Sequence, residues 1–462
     1  MKYAVLVLTF LHLLNTIFCN FDLVILHNND IHGRFEQTER NSGTCQPKNR
    51  NSTCIGGFAR TAHVVRKHRE AAQNGTGPEV LYLYAGDTFI GTVWYTVHTW
   101  NISSTFMNLL SPDAQSLGNH EFDKGTKELG QYLSKLAFPT ITCNLDLSLE
   151  PNIKPYVQKY VIVEKANRKI GIIGRLNLTF NDNGEVIAYS GQPILLENYL
   201  AEDEDILEQL EIYRPEVDKV NNLKAGALQV TLDGSTSSCR HEECNFGNLI
   251  TDAFVLYMAT QSAESWTNAP IGIANGGAIR TTITPGPMKS VSRGELLAAL
   301  PFGNQVVTLK IKGKDLVKTL ELGIRSEGET SFGEFLQVSG LRVVYDRSKP
   351  PMSRVVSVKL RCGKCDVPIY TDIDLSMNYT IILQDFLANG NDGHYILKEN
   401  TYDRTNTDLG DVDITQWYIE NYNPAFAEIQ GRISFVTAGE VQLFISKKLL
   451  FIALCCLKFN IF

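Results

Sequence analysis

The stretch V-L-Y-L-Y-A-G-D-T-F, residues 80–89, indicates the fold most clearly. Its apolar and aromatic residues are typical of a buried strand, and this strand ends in a Gly-Asp turn. Two other segments repeat the pattern, because residues 21–26 lead to D-I-H and residues 113–117 lead to G-N-H-E-F-D. Helix-prone segments at 58–73 and 126–136 lie between them. This alternation predicts an α/β fold in layers, with polar groups at the carboxyl ends of the strands.

The first two loops hold residue types that bind metal ions. Asp30 and His32 alternate along an extended loop, so we expect their side chains to point to the same side. Asp87 follows a glycine, where a tight turn lets its carboxylate bridge two cations. Two divalent cations about 3.5–4 Å apart activate a water molecule and neutralise phosphate charge. Imidazole and carboxylate ligands together suit zinc, with manganese or iron as alternatives.

The third loop adds a candidate for catalysis. Asn119 offers a neutral oxygen ligand, and His120 beside it is placed to stabilise phosphoryl oxygens. Asp123 is placed to hold the tautomer of the His120 imidazole. Each feature is weak evidence alone, since most D-x-H segments are plain surface. Three such loops in order, each after an apolar strand, predict a two-metal phosphoesterase site.

The second half of the chain has features typical of a nucleotide site. The segment N-G-G-A-I-R, residues 275–280, is a glycine-rich turn that leads to Arg280, a suitable group for binding an anion. Phe302 and Phe386 lie on glycine-bearing loops, where two aromatic rings can clamp a flat base, with stacking worth about 1–3 kcal/mol per base. Asp392 is suited to accept hydrogen bonds from ribose hydroxyls. The alternative for each residue alone is an ordinary core, surface or turn position.

Length and charge limit the classes of protein to consider. The chain has 462 residues, enough for two or three domains, and its 44% apolar and 20% charged residues are ordinary for a globular protein. The net charge is −7. Such a chain has no bulk attraction to nucleic acid, so any phosphate it binds must be held by local groups.

Both ends of the chain indicate the secretory pathway. Residues 1–20 read as a signal peptide, with a buried N-terminal strand as the alternative. Residues 437–462 end in a short apolar run, which fits either a GPI-attachment signal or a plain tail. We therefore expect an extracellular or cell-surface protein that is either secreted or attached to the membrane through a GPI anchor. Five N-x-S/T sequons agree with this route: Asn51, Asn74, Asn101, Asn177 and Asn378.

The cysteines are spaced as local pairs. We expect disulfides between Cys45 and Cys54, Cys239 and Cys244, and Cys362 and Cys365, as suits an oxidising compartment. A zinc site at Cys362 and Cys365 is the weaker alternative, because no second Cys or His pair stands at suitable spacing. Cys143 is left over, and we expect it to be buried and free.

The three loops, D-I-H-G-R-F at 30–35, A-G-D-T-F at 85–89 and G-N-H-E-F-D at 118–123, together resemble the metallophosphatase domain of the 5′-nucleotidase/apyrase family. The second half resembles the C-terminal nucleotide-binding domain of that family, and the similarity runs from about residue 21 to residue 435. The resemblance implies metal ligands at Asp30, His32, Asp87 and Asn119 and a catalytic dyad of His120 with Asp123. It implies substrate contacts at Arg240, Asn245, Asn275, Arg280, Phe302, Asn304, Phe386 and Asp392.

One departure from the family pattern matters for activity. Family members carry further histidine ligands in G-H-S and G-G-H-x-H segments after the strand that corresponds to residues 170–174, and this chain has neither segment. After Gly174 only His241 and His394 remain, and both lie in the second half. A block of the first domain is therefore predicted to be missing. Each metal would keep about half of its ligands, and even second-shell losses typically cost about 10–100-fold in affinity.

The sequence thus predicts a calcineurin-like metallophosphatase domain, incomplete, followed by a 5′-nucleotidase nucleotide-binding domain. The predicted segments are the signal peptide 1–20, a metallophosphatase domain 21–198, a linking helix 199–224, a nucleotide-binding domain 225–436 and the tail 437–462. The predicted reaction is hydrolysis of extracellular nucleoside 5′-monophosphates, above all AMP, with two divalent metal ions. The alternatives are an apyrase that acts on ATP and ADP, and an impaired isoform that binds nucleotide without turnover. The family resemblance also allows a homodimer.

Overall fold

The computed structural model describes residues 22–40, 42–165, 168–172, 179–180, 186–188, 196–326 and 333–436. The chain divides into two compact units: unit 1 runs to Val217 without residues 41–44, and unit 2 comprises those four residues and everything from Asp218 onward. The predicted signal peptide, the apolar tail and the junction after Gly174 lie outside the described residues. Within the described part, no helix has the length and apolarity needed to cross a membrane.

Unit 1 contains a five-stranded parallel sheet whose spatial order follows the chain, β1-β2-β3-β4-β5. Its second strand is buried at four of six positions, as expected for a strand covered on both faces. Two antiparallel hairpins, β6-β7 and β8-β9, follow. The strands are β1 Leu23–Asn28, β2 Glu79–Tyr84, β3 Ala114–Ser116, β4 Thr140–Ile141, β5 Val157–Gln158, β6 Val161–Lys165, β7 Arg168–Ile172, β8 Thr179–Phe180 and β9 Val186–Ala188.

The helices of unit 1 lie between these strands, which confirms the predicted α/β class. They are α1 Phe58–Gln73, α2 Val93–Leu110, α3 Gly125–Leu133 and α4 Glu204–Asn221. Helix α2 has a kink at Thr99, which has φ +52°, and ends at Ser111 in the left-handed conformation typical of helix C-termini. Helix α4 corresponds to the predicted linking helix, and the boundary between the two units falls inside it.

Unit 2 is built on a mixed five-stranded sheet, a four-stranded sheet and a two-stranded ladder, in the orders β14-β11-β18-β13-β19, β17-β16-β15-β20 and β10-β12. The strands are β10 Lys224–Ala227, β11 Ile271–Asn275, β12 Ser290–Ser292, β13 Gln305–Lys312, β14 Leu336–Ser339, β15 Leu341–Tyr345, β16 Val355–Arg361, β17 Tyr370–Asp372, β18 Asn378–Gln384, β19 Thr401–Gly410 and β20 Ile433–Phe435. The helices are α5 Thr236–Cys239, α6 Asn245–Thr260, α7 Arg293–Ala299, α8 Gly313–Leu322, α9 Asp385–Ala388, α10 Tyr395–Glu399 and α11 Asp411–Asn421.

The core of unit 2 lies where these sheets and helix α8 meet. Ile273 of β11, Val307 of β13 and Leu383 of β18 are fully buried there, together with Leu316 and Leu320 of α8. The two leucines are four residues apart and so share one face of the helix. The aliphatic residues that the sequence placed in strands therefore form one core.

Strand direction in the mixed sheet brings several loops to one edge. Strands β13 and β18 are antiparallel, with Val306 opposite Gln384, so β13 starts where β18 ends. Strands β11 and β18 are parallel, with Ile273 opposite Leu383, so they end at the same edge. The residues before β13, after β18 and after β11 therefore meet there, and these are the segments that carry the predicted nucleotide ligands.

One local prediction was wrong and one was confirmed. Cys143 is free but exposed, since it follows the short strand β4 and the alternation there buries its neighbour Thr142 instead. The three predicted disulfides are present: Cys45–Cys54, Cys239–Cys244 and Cys362–Cys365.

Candidate metal centre and nucleotide site

Backbone hydrogen bonds continue past the ends of β1 and β2 and hold the first two metal loops together. The N–H groups of Asp30 and His32 donate to the carbonyl oxygens of Gly86 and Asp87, at 2.9 and 3.0 Å. The N–H of Gly33 donates to Thr88 O at 2.9 Å. The loop after β1 is therefore fixed against the loop after β2, and both sets of side chains are presented at the carboxyl end of the sheet.

Three of the predicted ligands have strained backbone conformations. Asp30, His32 and Asp87 have φ values of +55°, +49° and +59°, in the left-handed region. This region costs an ordinary residue roughly 1–3 kcal/mol, and such residues cluster at functional sites. The surrounding hydrogen bonds therefore hold these side chains in directions that a relaxed loop would not adopt.

Two glycines allow the second and third loops to touch. A Cβ atom at Gly86 would overlap the backbone of Gly118, and Gly86 also has φ +88°. A Cβ at Gly118 would overlap the carboxylate of Asp87. The motifs A-G-D and G-N-H therefore need glycine because their backbones are in direct contact.

His32, Asp87 and His120 form the one group among the described residues whose His, Cys, Asp or Glu atoms are arranged to hold a metal ion. One ligand atom from each lies within 4.8 Å of the others. His32 Nδ1 lies 3.3 Å and 3.1 Å from the carbonyl oxygens of Phe89 and Ile90. Because carbonyls only accept, Nδ1 carries the hydrogen and Nε2 carries the lone pair. A second-shell carbonyl that sets the tautomer in this way is typical of metal-binding histidines.

The side chain of Asp30 adds a fourth candidate ligand group, a second carboxylate. Burial and a side-chain hydrogen bond with Asp87 raise the pKa of Asp30, and Asn29 donates a hydrogen bond to the same carboxylate. Two carboxylates at this separation repel each other unless a proton or a cation lies between them. Two carboxylates and an oriented imidazole fit a divalent cation, and that cation would replace the shared proton.

His120 and Asp123 make the hydrogen bond that the predicted dyad requires. His120 Nδ1 lies 2.6 Å from Asp123 Oδ2, across the 3₁₀ turn of residues 120–122. The backbone N–H of His120 donates to Asp87 Oδ1 at 2.9 Å, and the His32 and His120 rings stand edge to face at 5.0 Å. With its hydrogen on Nδ1, His120 presents Nε2 for chemistry. Asn119 is exposed beside it, and its role as a ligand stays a prediction.

Glu121 is a residue of this site that sequence reasoning missed. Its side chain is 1% exposed, and its two carboxylate oxygens accept hydrogen bonds from four backbone N–H groups. These belong to Gly118 at 2.7 Å, Asp87 at 2.9 Å, Thr88 at 2.6 Å and Phe89 at 3.3 Å. Burial raises the pKa of Glu121, while the N–H donors favour its charged form. The motif G-N-H-E-F-D contains Glu121, but the sequence alone does not show that the Glu121 carboxylate bonds to the loop about 30 residues earlier.

In unit 2, three predicted ligands come together at the end of β11. Asn275 Nδ2 donates to Asp392 Oδ2 at 2.7 Å, and Asp392 has φ +49°. Burial raises the pKa of Asp392, Glu334 acts in the same direction, and Arg240 opposes it. The carboxylate of Asp392 and the guanidinium of Arg240 are therefore close enough to interact, as a shared ligand site requires.

Arg325 supports the same turn and was also missed. Its guanidinium donates to the carbonyl oxygens of Asp392 and Gly393, both at 3.2 Å. The sequence carries no sign of this, because the partners stand 67 and 68 residues apart. Arg325 therefore fixes the loop that presents the Asp392 carboxylate.

Phe302 and Arg280 contact each other, which places a candidate anion ligand beside a candidate stacking ring. The guanidinium carbon lies 5.6 Å from the ring centroid, within cation–π range. Phe386 is half-buried in α9, directly after β18. The strand register brings its loop to the edge of the sheet that also carries the loop of Phe302.

Two predicted substrate ligands make contacts within the fold instead. Asn245 bonds through its amide to the backbone of Thr231, Ala427 and Asp233. Asn304 donates from its amide to Asp411. The structure gives both side chains a structural partner, and their contact with substrate stays a prediction.

We predict that Glu121→Gln destabilises unit 1 and weakens metal binding together. The amide presents N–H groups to backbone N–H groups, so at least one donor loses its acceptor, at a cost of about 2–3 kcal/mol. Urea unfolding should show the loss of stability, and titration with Mn²⁺ or Zn²⁺ should show the loss of affinity. The control is Glu128→Gln, because Glu128 accepts a hydrogen bond from the hydroxyl of Tyr95 and an amide oxygen can replace it. Equal stability of Glu121→Gln and the parent protein would contradict this prediction.

Comparison with known proteins finds a family model for each of the two parts of the chain. The family model of the calcineurin-like phosphoesterases matches residues 23–220, and that of the 5′-nucleotidase C-terminal domain matches residues 221–399. A snake venom 5′-nucleotidase of Naja atra is 30% identical over 540 aligned positions, which cover 91% of this chain and 100% of the relative. An apyrase of Tabanus yao is 28% identical, and the alignment covers 90% of this chain and 94% of the apyrase.

The fold has a solved counterpart. The structure of a 5′-nucleotidase precursor from Thermus thermophilus superposes with a TM-score of 0.76 at 26% identity, covering 90% of this chain and 100% of that one. The match to calcineurin-like phosphoesterases implies divalent metal ions, and the described residues contain a partial cluster of ligands for them. Full-length similarity at 30% identity and matches to both domain models together show that this chain belongs to the 5′-nucleotidase family of hydrolases.

Proposed function

We propose that this protein is a metal-dependent phosphohydrolase of extracellular nucleotides, with AMP as its preferred substrate and nucleoside and phosphate as products. The observation that carries the proposal is the cluster of His32, Asp87 and His120 within 4.8 Å, together with the His120–Asp123 hydrogen bond. Family membership supports nucleotide phosphohydrolysis in general. The preference for AMP rests on the resemblance to 5′-nucleotidases.

In this proposal, metal ligands come from the first three loops. Asp30, His32, Asp87 and Asn119 would hold the two divalent cations, with zinc as the first candidate and manganese as the alternative. Bound cations would supply charge neutralisation for the phosphoryl group and lower the pKa of a coordinated water. The chain itself supplies orientation, because the left-handed backbone at the ligands and the carbonyls behind His32 fix the directions of the donor atoms.

His120 acts on the substrate rather than on the fold. Asp123 holds the hydrogen on Nδ1 and stabilises the protonated imidazole, so Nε2 can donate a hydrogen bond to a phosphoryl oxygen. The backbone N–H of His120 is tied to the Asp87 carboxylate, which keeps the ring beside the proposed metal ligands. Charge that develops on the phosphoryl group would therefore meet a donor that is already oriented.

Unit 2 supplies substrate recognition. Arg280 and Arg240 offer positive charge for phosphate, Asp392 and Asn275 accept and donate hydrogen bonds at the ribose, and Phe302 with Phe386 stack on the base. Support comes from the Asn275–Asp392 hydrogen bond, from the contact of Arg280 with Phe302, and from the shared edge of the sheet. A mildly acidic protein needs such local groups to hold an anion.

We further propose that turnover by this chain is weak, because ligands of the metal pair are missing. The alignment with the Naja atra relative has 540 positions, more than the 462 residues of this chain, so part of that relative has no counterpart here. His394 does not replace a lost ligand, since it is fully buried in unit 2 with Nε2 2.9 Å from the carbonyl oxygen of Glu334. The missing block after Gly174 is our explanation for the partial cluster.

We predict that insertion of the corresponding segment of the Naja atra relative after Gly174 raises the rate of phosphate release from AMP at least about 100-fold. The reason is that the restored imidazole ligands raise metal affinity, at about 10-fold or more each. Phosphate release is measured with added Zn²⁺ or Mn²⁺ and with a chelator. His120→Ala in both proteins serves as the control for contaminating phosphatase. Comparable turnover with and without the segment would show that the chain is complete as it stands.

A second candidate is an apyrase, because the Tabanus yao apyrase is 28% identical over most of both chains. We expect phosphate release from AMP to exceed that from ADP and ATP in a panel at equal concentrations. AMP, ADP and ATP share the same base and ribose contacts. Their rates of phosphate release therefore differ only because their terminal phosphates lie at different distances from the ribose. Faster release from ADP and ATP than from AMP would favour the apyrase.

A third candidate is a protein that binds nucleotide without turnover, which the partial metal cluster favours. In isothermal titration, we expect AMP to bind the parent protein and Phe386→Ala to bind it about 5- to 100-fold more weakly, as loss of one stacking face predicts. Tyr402→Ala is the matched control, because Tyr402 is an exposed aromatic residue of β19 outside the candidate site. AMP binding that does not change on loss of Phe386 would remove that ring from the site.

The proposal includes an extracellular location for the protein. The disulfides suit an oxidising compartment, and we propose secretion through the pathway indicated by residues 1–20, with glycosylation at the sequons. A GPI anchor at the tail, a homodimer and a hinge at α4 are further expectations from the family resemblance. We propose no contact with nucleic acid.

A further inference from the structure

A buried carboxylate joins two loops of unit 2 at the start of helix α11. Asp411 is fully buried, and its Oδ2 accepts hydrogen bonds from Gln384 Nε2 at 2.9 Å and from Asn304 Nδ2 at 3.2 Å. Its Oδ1 accepts from the N–H of Val412 at 2.8 Å, and its own N–H donates to Asn304 O at 2.9 Å. One side chain thus contacts two strand ends that are about 80 residues apart in the chain.

The two partners of Asp411 stand next to the two aromatic residues of the candidate base clamp. Asn304 follows Phe302 by two residues, and Gln384 precedes Phe386 by two residues. Since β13 and β18 run antiparallel, with Val306 opposite Gln384, these positions lie at the same edge of the sheet. A shift of the Asp411 carboxylate would therefore move both ring-bearing loops.

A second bond between the same loops agrees with this arrangement. The carboxylate of Asp385 accepts a hydrogen bond from the N–H of Gln305, one residue beyond Asn304. The loop before β13 and the loop after β18 are thus linked by two acidic side chains. Asp411 is the more buried of the two, and it is the one that contacts a side chain from each loop.

Burial of the Asp411 carboxylate carries an electrostatic cost. Burial raises the pKa of Asp411 to about 6, so the charged form is disfavoured there despite the donors from Gln384 and Asn304. Gln384 Oε1 is buried without a hydrogen-bond partner among the described residues. Apolar side chains of similar volume often replace buried charges without loss of stability. What the carboxylate supplies here is geometry, because it holds the side chains of Asn304 and Gln384 at fixed positions.

We propose that Asp411 is a positioning residue that sets the separation of Phe302 and Phe386, and with it the affinity for the planar base of a nucleotide. This inference rests on the proposed nucleotide site. Asp411 itself touches neither base nor phosphate in this proposal, and it acts only through Asn304 and Gln384. The expected signature is a loss of affinity that appears only when the ligand has a base.

The test compares AMP with ribose 5-phosphate, which lacks the base, by isothermal titration of the full chain. We expect Asp411→Leu to raise the Kd for AMP about 5- to 20-fold, a part of the stacking contribution, and to change the Kd for ribose 5-phosphate less than about 2-fold. Asp411→Asn keeps one acceptor oxygen and should lose less. If Asp411→Leu does not fold, Gln384→Met removes one donor at a residue outside the predicted substrate contacts and should show the same selective loss.

The matched control is Asp315→Asn, because Asp315 is a buried carboxylate of unit 2 whose partner is Lys318 and not either loop. It should leave both Kd values unchanged. Equal weakening of AMP and ribose 5-phosphate by the Asp411 and Gln384 variants would overturn the proposal, since that is the result of general damage. Unchanged AMP binding would overturn it as well. A parent protein that binds neither ligand would instead contradict the proposed nucleotide site, and the positioning role would fall with it.

Discussion

The carboxylate of Glu121 is the contact on which the candidate metal centre depends. Four backbone N–H groups of two loops have no strand partner, and a buried N–H without an acceptor costs about as much as a lost hydrogen bond. Glu121 satisfies all four from one position. The glycines that let the loops touch and the left-handed backbone of Asp87 are tolerated only because this anchor holds them. The same contact directs the Asp87 carboxylate toward His32 and His120.

Both units use a buried carboxylate to join the loops of a candidate site. In unit 1 a buried acid, Glu121, joins loops that carry the candidate metal ligands, and in unit 2 a buried acid, Asp411, joins loops that carry aromatic rings. Loops at strand ends leave backbone and amide donors that no sheet partner reaches. A carboxylate with two oxygens can accept from both loops at once, which an apolar side chain cannot do. Rigidity at both sites therefore comes from buried acids rather than from hydrophobic packing alone.

Electrostatics limits what the metal centre does as it stands. Asp30 and Asp87 lie within hydrogen-bond reach, and burial raises the pKa of Asp30. Such a pair favours a cation, and the described residues hold a partial cluster of ligands for one. In unit 2, the loops that carry Asn275, Phe302 and Phe386 lie at one edge of a sheet. This difference is why we propose nucleotide binding together with weak turnover for the same chain.

The sequence by itself determined the family, the α/β class, the order of the three metal loops and the three local disulfides. These features can be predicted because they depend on short segments, in which the strand pattern, the glycine and the candidate ligand are close together in the sequence. Only the tertiary structure decided the roles of Glu121, Arg325 and Asp411 and the exposure of Cys143. Their partners lie tens of residues away or depend on which face a short strand buries. The residue type shows that a side chain can accept a hydrogen bond, but only the tertiary structure decides which donors lie within its reach.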